Sequence, residues 1–257
     1  MTVCPLGSGS RGNCVYIKTD GAGLLIDAGL SFAEIRSRLS GIGARLHDVS
    51  GVLITHEHAD HINGLTGFKD SGIPVFAHAA AAAAIERKIS GLTLRRIYGA
   101  AFGFADVCVA PFFVPHDAAG SLGFRLTAGG VTVAVATDIG RVSEDVIRGL
   151  SDADCLVVEA NHDENMLLRG RYPERLKRRI TGGGGHISNS AAAELLRLTV
   201  SPRTKNVFLA HLSEENNLPE LAFDTVAKSL KKYGIEEGAD IKISVLKQSA
   251  RGEILSF

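Results

Sequence analysis

The sequence predicts an α/β protein in which two sheets pack face to face and helices cover their outer surfaces. Strand-like segments come first along the chain, and strands that alternate with helices follow, which is the order typical of layered α/β folds. Several of the apolar strands end in a histidine or an aspartate. Strand ends can bring side chains from distant parts of a chain to one edge of a sheet, so we expect a functional site there.

The composition favours one domain. The chain has 257 residues, of which 45% are hydrophobic, and this is enough for a substantial core. No Pro- or Ser-rich linker and no block of charge divides it, so we expect a single domain over residues 1–257. The 28 basic residues balance the 28 acidic residues. Overall charge therefore gives no attraction for nucleic acid, and any such attraction must be local.

The four cysteines predict reduced thiols. They lie at positions 4, 14, 108 and 155 and form no C-x-x-C pair, so we expect buried free thiols rather than disulfides. The first residues lack a basic region followed by an apolar one, and no apolar run reaches about 18 residues. We therefore expect a cytoplasmic protein without a membrane partner. The sequence does not indicate an oligomeric state.

The first part of the chain is predicted to open as a β-meander, with strands at 3–6, 15–18 and 24–27. A helix is predicted from Ser31 to Leu39, because Ser31 and Glu34 have the spacing of a capping box and Gly41 follows. The strand 52–54 comes next. A short helix to about residue 71, a strand at 73–77 and an alanine-rich helix at 79–90 complete this part.

The second part is predicted to alternate strands and helices. Strands are expected at 107–114, 123–126 and 131–136, and the last two are joined by a glycine-containing hairpin. A helix at 143–150 leads to a continuous apolar strand at 155–159. The remaining predicted elements are a helix at 190–200, a strand at 207–210, a helix at 221–233 and a strand at 241–245.

A cluster of metal-ligand side chains follows the strand at 52–54. Three histidines and one aspartate occur between His56 and His61, in a chain with nine histidines. Imidazole and carboxylate are the ligands that borderline and hard divalent metals prefer. His56 and His58 project together from an extended segment, whereas Asp60 and His61 fall where a helix would begin. A solvated polar loop gives no reason for this spacing, so we predict a metal site, and the two pairs of ligands indicate two metal ions.

Three further ligand-type residues stand at the ends of apolar strands. His116 follows the strand at 107–114, Asp138 the strand at 131–136, and His211 the strand at 207–210. Alone, each would be interpreted as a polar strand end in water. Together with the first motif, they are predicted to be ligands.

The chain also contains a series of short segments that together resemble the YycJ (WalJ) family of the metallo-β-lactamase superfamily, at residues 7–14, 55–61, 116–117, 137–138, 161–163, 185–189 and 211–213. These bacterial cytoplasmic proteins are regarded as nucleases similar to tRNase Z. The resemblance implies a four-layer αββα sandwich of two mixed sheets, with the metal site at one edge. It also implies the ligand sets, which are His56, His58 and His116 for one ion, Asp60, His61 and His211 for the other, and Asp138 as a bridge.

The resemblance implies a metal-dependent phosphodiesterase that acts on nucleic acid, as a DNA exonuclease. Two divalent ions are expected, Zn or Mn with Fe as a further option, because all ligands are nitrogen or oxygen. A hydroxide held between the ions would attack phosphorus, Asp60 would orient it, and His186 would serve the leaving group or hold the phosphate. No cysteine stands where zinc lactamases carry one near the second metal, and His58 occupies the position of a glutamate in flavodiiron relatives, so oxygen reduction is not expected.

Substrate contacts are predicted in three places. Asn161 and His162 follow the strand at 155–159, and Ser10 and Asn13 lie in a Gly-rich turn that could equally be a plain hairpin. Residues 169–179 carry six basic side chains against one acidic, which is either a solvated helix face or a path for a phosphate backbone. For this path we predict contacts from Arg175, Arg178 and Arg179.

Other functions remain open at this point. A tRNase Z-like ribonuclease would use the same site, although the chain has no large insert between Asp138 and His211, which argues against tight binding of structured RNA. A small-molecule hydrolase for thioesters or lactones is compatible with the fold, but it would not need the basic segment. A non-catalytic metal-binding module is disfavoured by the complete ligand set.

Overall fold

The computed structural model describes all residues from 1 to 257. Its strands are β1 (Thr2–Gly7), β2 (Cys14–Lys18), β3 (Gly23–Ile26), β4 (Gly51–Ile54), β5 (Pro74–His78), β6 (Thr93–Ile97), β7 (Phe102–Phe104), β8 (Val107–Phe113), β9 (Leu122–Ala128), β10 (Val131–Ala136), β11 (Cys155–Glu159), β12 (Asn206–Ala210), β13 (Lys242–Val245) and β14 (Leu255–Ser256). Its helices are α1 (Phe32–Ser40), α2 (Ala59–Ile62), α3 (Ala79–Lys88), α4 (Glu144–Leu150), α5 (Glu164–Arg169), α6 (Glu174–Thr181), α7 (Asn189–Thr199) and α8 (Pro219–Lys231).

The strands form two mixed sheets of seven strands each. The first has the order β14-β1-β2-β3-β4-β5-β6, and the second has the order β13-β12-β11-β10-β9-β8-β7. In the first sheet β1 to β3 are antiparallel and β3 to β6 are parallel. In the second sheet β10 to β13 are parallel. Parallel neighbours need crossover connections, and α1, α3, α4, α7 and α8 lie in such connections.

The central parallel strands are the most buried part of each sheet. Every residue of β3, β4 and β11 is buried, as expected for strands that are covered on both faces. Because parallel strands run in one direction, the ends of β3 and β4 meet at one edge of the first sheet. The ends of β10, β11 and β12 likewise meet at one edge of the second sheet. The predicted ligands follow the ends of β4, β10 and β12, except His116, which follows β8.

The chain divides into two compact units. Unit 1 contains residues 1–111, 118–131 and 247–257, and unit 2 contains residues 112–117 and 132–246. The core of unit 1 includes Ile35 and Leu39 of α1 and Phe68, all fully buried. The core of unit 2 includes Leu196 of α7 and Val226 of α8. The expectation of a single domain over residues 1–257 stays a prediction.

Most predicted elements are present with ends that differ by one to three residues. The predicted capping box of α1 is confirmed, since the Ser31 side chain accepts a hydrogen bond from Glu34 N and Glu34 reaches back to Ser31 N. The sequence did not predict β6, β7, β14 and α5. Two residues of β6 are exposed arginines, so it lacks an apolar pattern, and the other three elements have only two to six residues.

The cysteines are free thiols, as predicted, but one prediction about them was wrong. Cys4, Cys14 and Cys155 are buried, whereas Cys108 is exposed. Cys108 lies on β8, in which buried and exposed residues alternate, and its side chain falls on the exposed face. No helix of the chain combines the length and the apolar character that crossing a lipid bilayer requires.

A close backbone contact holds the beginning of α2 in unit 1. Gly29 N donates to Asn13 O at 2.8 Å, and Asn13 N donates to Asp60 O at 2.8 Å. A Cβ atom at Gly29 would overlap the carbonyl oxygen of Asp60 and lie 2.6 Å from Asn13 N. Only glycine fits at this position without moving the predicted metal motif.

We expect Gly29→Ala to destabilise the protein by about 3 kcal/mol, at the upper end of what overpacking costs, because the overlap is with backbone and cannot be relieved by a side-chain rotation. Gly103→Ala is the matched control, since a Cβ atom there meets nothing within 4 Å, and it should stay within about 0.5 kcal/mol of the wild type. Urea unfolding of the metal-free proteins measures both. Equal stability of the two variants would contradict the assigned contact.

Candidate metal centre

The histidine motif of unit 1 begins directly after β4. His56 and His61 are buried, and α2 starts at Ala59, so Asp60 and His61 lie on a first helical turn as predicted. The ring of His56 is 4.6 Å from the ring of His58 and 4.1 Å from the ring of His61, measured between centroids. His61 Nε2 is 3.4 Å from Asp60 Oδ2. Unit 1 therefore brings together the four side chains that the sequence assigned to metal.

A carboxylate that the sequence did not single out orients this group. Asp27 is buried at the end of β3, and its Oδ2 lies 2.7 Å from His61 Nδ1. Its Oδ1 accepts hydrogen bonds from Thr55 N at 2.8 Å and Thr55 Oγ1 at 3.0 Å. Burial raises the pKa of Asp27, and the charge of His61 offsets part of this rise. Since a carboxylate accepts, we assign the proton of His61 to Nδ1, and Nε2 is left for a metal.

Asn13 connects the Gly-rich turn to the same ligands. Its Nδ2 lies 3.1 Å from His61 Nε2 and 3.4 Å from Asp60 Oδ2, while its Oδ1 accepts from Gly9 N at 2.8 Å. Ser10, the other predicted contact in this turn, is exposed. The predicted residue Asn13 thus lies against the ligands, and its role toward substrate stays a prediction.

Unit 2 contains the three strand-end ligands. The carboxylate of Asp138 lies between two imidazoles, because its Oδ1 is 3.7 Å from His116 Nε2 and 3.7 Å from His211 Nε2. His116 Nδ1 is 3.1 Å from Gly185 O, and since a carbonyl oxygen only accepts, Nδ1 carries the proton. Burial lowers the pKa of His116, against the opposing charge of Asp138. A neutral imidazole with a free Nε2 is the form that binds metal.

Glu159, the last residue of β11, is the second carboxylate that the sequence did not single out. It is fully buried, and its Oε1 lies 2.8 Å from His186 Nδ1 and 3.1 Å from His211 Nδ1. Its Oε2 accepts from Ile139 N at 2.8 Å and from Ile187 N at 3.1 Å. Burial alone would raise the pKa of Glu159, but the two histidines and their hydrogen bonds hold it below its usual value.

The surroundings of His186 shift its pKa in the opposite direction from those of His116 and His162. Burial would lower its pKa, but the charge and hydrogen bond of Glu159 and the charge of Asp138 outweigh burial and raise that pKa. Its ring lies 5.4 Å from the ring of His116 and 5.1 Å from that of His211. His186 therefore lies beside the ligands of unit 2, directly after the four glycines at residues 182–185, and its part in proton transfer stays a prediction.

Three site residues have an unusual backbone. Asp27, Asp138 and His211 have φ angles of 59°, 56° and 56°, in the left-handed region that side chains other than glycine rarely adopt. Each follows the end of a buried parallel strand. Such strain persists only where the surroundings enforce it, and it is concentrated at functional sites. Here it turns each side chain out of the strand direction and toward the other ligands.

Asn161 and His162 lie behind the ligands of unit 2. Asn161 Nδ2 donates to His211 O at 2.9 Å, so it holds the loop that carries His211. His162 is 3% exposed, and its Nδ1 is 3.3 Å from Asn161 Oδ1. Burial lowers its pKa. The structure gives both residues partners within the protein, and their predicted substrate contacts stay predictions.

The basic segment contains the last residue of α5, the turn that follows it and most of α6. Arg179 pairs with Asp117 through two contacts, Nε to Oδ2 at 2.6 Å and Nη2 to Oδ1 at 2.9 Å. The side chains of Arg175 and Arg178 are exposed and have no hydrogen bond or ion pair. Ile180 is buried, as on a helix with one packed face and one solvated face, and the predicted phosphate path stays a prediction.

The donor set fits divalent metal ions. Unit 1 offers His56 with His58 and Asp60 with His61, each pair with ligand atoms within 4.8 Å of each other. In unit 2 the ligand atoms of Asp138, Glu159, His186 and His211 all lie within 4.8 Å of one another. Imidazole nitrogens whose far side is hydrogen-bonded to a carboxylate or a carbonyl are the usual arrangement around protein-bound metal.

Known proteins resemble this chain over nearly its whole length. A family model described as a beta-lactamase superfamily domain matches residues 23–211. The exodeoxyribonuclease YycJ of Bacillus anthracis is 37% identical over 243 residues, which are 93% of this chain and 92% of that protein.

Two solved structures share the fold. The metallo-beta-lactamase fold protein YhfI from Bacillus subtilis has a TM-score of 0.72 and 17% identity, with 99% of this chain and 98% of that chain covered. The short form of human tRNase Z has a TM-score of 0.67 and 16% identity, with 100% and 99% covered. These likenesses confirm the predicted fold class, an α/β sandwich of two mixed sheets.

We expect Glu159→Gln to weaken metal binding by about 10- to 100-fold. An NH₂ group cannot accept a hydrogen bond from another N–H group. In either orientation of the glutamine amide, its NH₂ group would face two N–H donors, those of the two histidines or those of the two backbone amides. Titration against a chromogenic chelator measures the affinity. Glu164→Gln is the control, because the exposed Glu164 accepts only a hydroxyl, from Ser188, and a glutamine can replace it there. Unchanged affinity in both variants would remove Glu159 from the support of the ligands.

Proposed function

Because the chain belongs to the beta-lactamase superfamily, and within it to the family of the exodeoxyribonuclease YycJ, we propose that it is a metal-dependent phosphodiesterase that degrades DNA from an end. RNA is the alternative polymer. The single observation that carries the proposal is the carboxylate of Asp138 between Nε2 of His116 and Nε2 of His211, at 3.7 Å from each. A carboxylate in that position can serve two cations at once, as two-metal phosphodiester cleavage requires.

The proposed cofactor is a pair of divalent ions, Zn or Mn, with Fe as a further option. The donors are imidazole nitrogens and carboxylate oxygens, which these metals accept. The ligand sets follow the family resemblance, and they are His56, His58 and His116 for one ion, Asp60, His61 and His211 for the other, and Asp138 for both. When bound, such ions activate water and neutralise the charge that develops on the phosphate.

The residues of the chain supply proton transfer and orientation. His186 keeps its Nδ1 on Glu159, and this leaves Nε2 to carry a proton. Glu159 raises the pKa of His186, which favours the protonated imidazolium, and this group can donate its Nε2 proton to the leaving oxygen of the cleaved strand. Asp60 accepts a hydrogen bond from the attacking water and aims it at phosphorus. Asp27 and Glu159 hold the imidazoles in place.

The path of the strand is proposed to follow the outer face of unit 2. Arg175 and Arg178 are exposed without an ion pair, and so are Arg169 and Arg171. The latter two line a surface cavity of about 590 Å³. Arg179, in contrast, is engaged by Asp117, so its proposed part is to hold α6 beside His116. Contacts to phosphates bind any sequence alike, as degradation of DNA requires.

The metal ligands and the basic segment also distinguish the competing functions. A thioester or lactone hydrolase would use the metal ligands but has no use for four unpaired arginines in one segment. A tRNase Z-like ribonuclease would use both, and only the choice of substrate separates it. The four free cysteines favour a reducing compartment, so the proposed location is the cytoplasm.

We expect the purified protein to release nucleotides from end-labelled DNA when Mn or Zn is added, faster than from RNA and without cleavage of a thioester. His186→Ala should lower the rate by about 10²- to 10⁴-fold, because the leaving oxygen loses its proton donor. Metal content should stay at the wild-type value, measured by atomic emission on the same samples.

The outcomes of this assay are distinct. Thioester hydrolysis without nucleotide release would establish the small-molecule alternative. RNA degradation in preference to DNA would establish the ribonuclease alternative. Full activity of His186→Ala, or loss of metal from it, would mean that His186 is not the proton donor.

We expect the double variant Arg175→Ala/Arg178→Ala to bind DNA more weakly, with a salt dependence shallower by about 0.7 to 0.9 per lost phosphate contact. Hydrolysis of bis(p-nitrophenyl) phosphate should be unchanged, because that ester is too short to reach α6. Arg36→Ala/Arg87→Ala is the matched control, since these arginines are also exposed helical residues without an ion pair. If both double variants bind DNA like the wild type, the strand runs elsewhere.

A further inference from the structure

The last residues of the chain return to its beginning, within unit 1. β14 pairs with β1, where Leu255 faces Val3, and Gly252 N donates to Pro5 O at 2.8 Å. Followed backward from its end, the segment 247–257 therefore runs along β1 toward the Gly-rich turn at residues 7–12. Gln248 meets that turn.

Gln248 fills the inner side of the turn. Its Oε1 accepts a hydrogen bond from Arg11 N at 2.9 Å, across 237 residues of sequence. A Cβ atom at Gly9 would overlap the Cγ atom of Gln248, so glycine allows this close packing. The carbonyl oxygen of Gln248 accepts from Arg38 Nη1 at 3.4 Å, which anchors the segment on α1.

The other side of the turn reaches the metal ligands. Gly12 N donates to Gly9 O at 2.9 Å, and Gly9 N donates to Asn13 Oδ1 at 2.8 Å. Asn13 Nδ2 lies 3.1 Å from His61 Nε2 and 3.4 Å from Asp60 Oδ2. A continuous set of hydrogen bonds thus joins Gln248 to Asn13 through the turn, and Asn13 touches two proposed ligands.

Only one end of the Gln248 amide takes part in these contacts. Its Nε2 is buried without a hydrogen-bond partner, whereas its Oε1 holds Arg11 N. The acceptor is therefore the group that matters for the turn. This asymmetry gives a direct experimental distinction, because glutamate keeps an acceptor at this position and methionine keeps only the shape.

We propose that Gln248 is a positioning residue of the nuclease site. It fixes the Gly9–Gly12 backbone so that Ser10 and Asn13 face the phosphate of the DNA strand beside Asp60 and His61. The C-terminal segment then helps to set the geometry of the site, in addition to pairing with β1 at the edge of the sheet. The catalytic consequence rests on the proposed function, whereas the hydrogen bond to Arg11 does not.

The test compares Gln248→Met with Gln248→Glu in the full-length, metal-loaded protein. Hydrogen exchange of the Arg11 amide reports the hydrogen bond directly. Gln248→Met should speed this exchange and raise KM for single-stranded DNA, each by about 5-fold, as loss of one hydrogen bond implies. The change should appear in KM and not in kcat, and the metal content should match the wild type. Gln248→Glu should restore both the exchange rate and KM to within about 2-fold.

Each of the other outcomes contradicts one part of the proposal. Unchanged exchange in Gln248→Met would mean that Gln248 does not hold the turn. Faster exchange with an unchanged KM would mean that the turn does not position the substrate, and a parallel loss of thermal stability and metal would make the role merely structural. If the wild-type protein degrades no nucleic acid, the proposed function fails, and the exchange rates still decide whether Gln248 fixes the turn.

Discussion

An imidazole can hold a metal ion only if it is neutral and presents one defined nitrogen, and buried carboxylates define that nitrogen for His61 and His211. Asp27 accepts a hydrogen bond from Nδ1 of His61, and Glu159 accepts hydrogen bonds from Nδ1 of His211 and of His186. A buried carboxylate is itself unfavourable unless it is hydrogen-bonded. Backbone N–H groups of Thr55, and of Ile139 and Ile187, meet that requirement. The ligands and the folded backbone therefore stabilise each other, and neither arrangement is favourable alone.

The strand ends explain why the scaffold can carry this polar group. β3, β10, β11 and β12 are almost fully buried, and a polar site residue stands at or within two residues of the end of each strand. Left-handed backbone at Asp27, Asp138 and His211 costs on the order of 1–3 kcal/mol for each residue. The packed strands on which these residues stand, with fully buried side chains such as Leu209 and Ile26, offset this strain. The stability of the core thus compensates for the backbone strain that orients these three side chains.

The sequence was sufficient where the signal is local. The spacing from His56 to His61 and the apolar runs before Asp138 and His211 identified side chains that the structure brings together within each unit. Asp27 and Glu159 follow or end the same kind of strand, so the strand-end signal was present for them as well. Their function was not predictable, because it depends on partners 34 and 52 residues away in sequence. The short strands β7 and β14 were missed because they are held by pairing and not by their own pattern.

The basic segment shows how a neutral chain can still favour a polyanion. The side chains of Lys177 and Arg179 make hydrogen bonds within the protein, to Leu168 O and to the carboxylate of Asp117, and these contacts fix α6. Arg175 and Arg178, on the exposed side of the same helix, have no such partner. Since exposed ion pairs gain little in water, the free arginines lose little by staying unpaired, and they gain on meeting phosphate through counterion release. In the proposed function, charge placed in this way would attract a DNA strand to α6 through its phosphates, without a high net charge on the chain and without contacts to the bases.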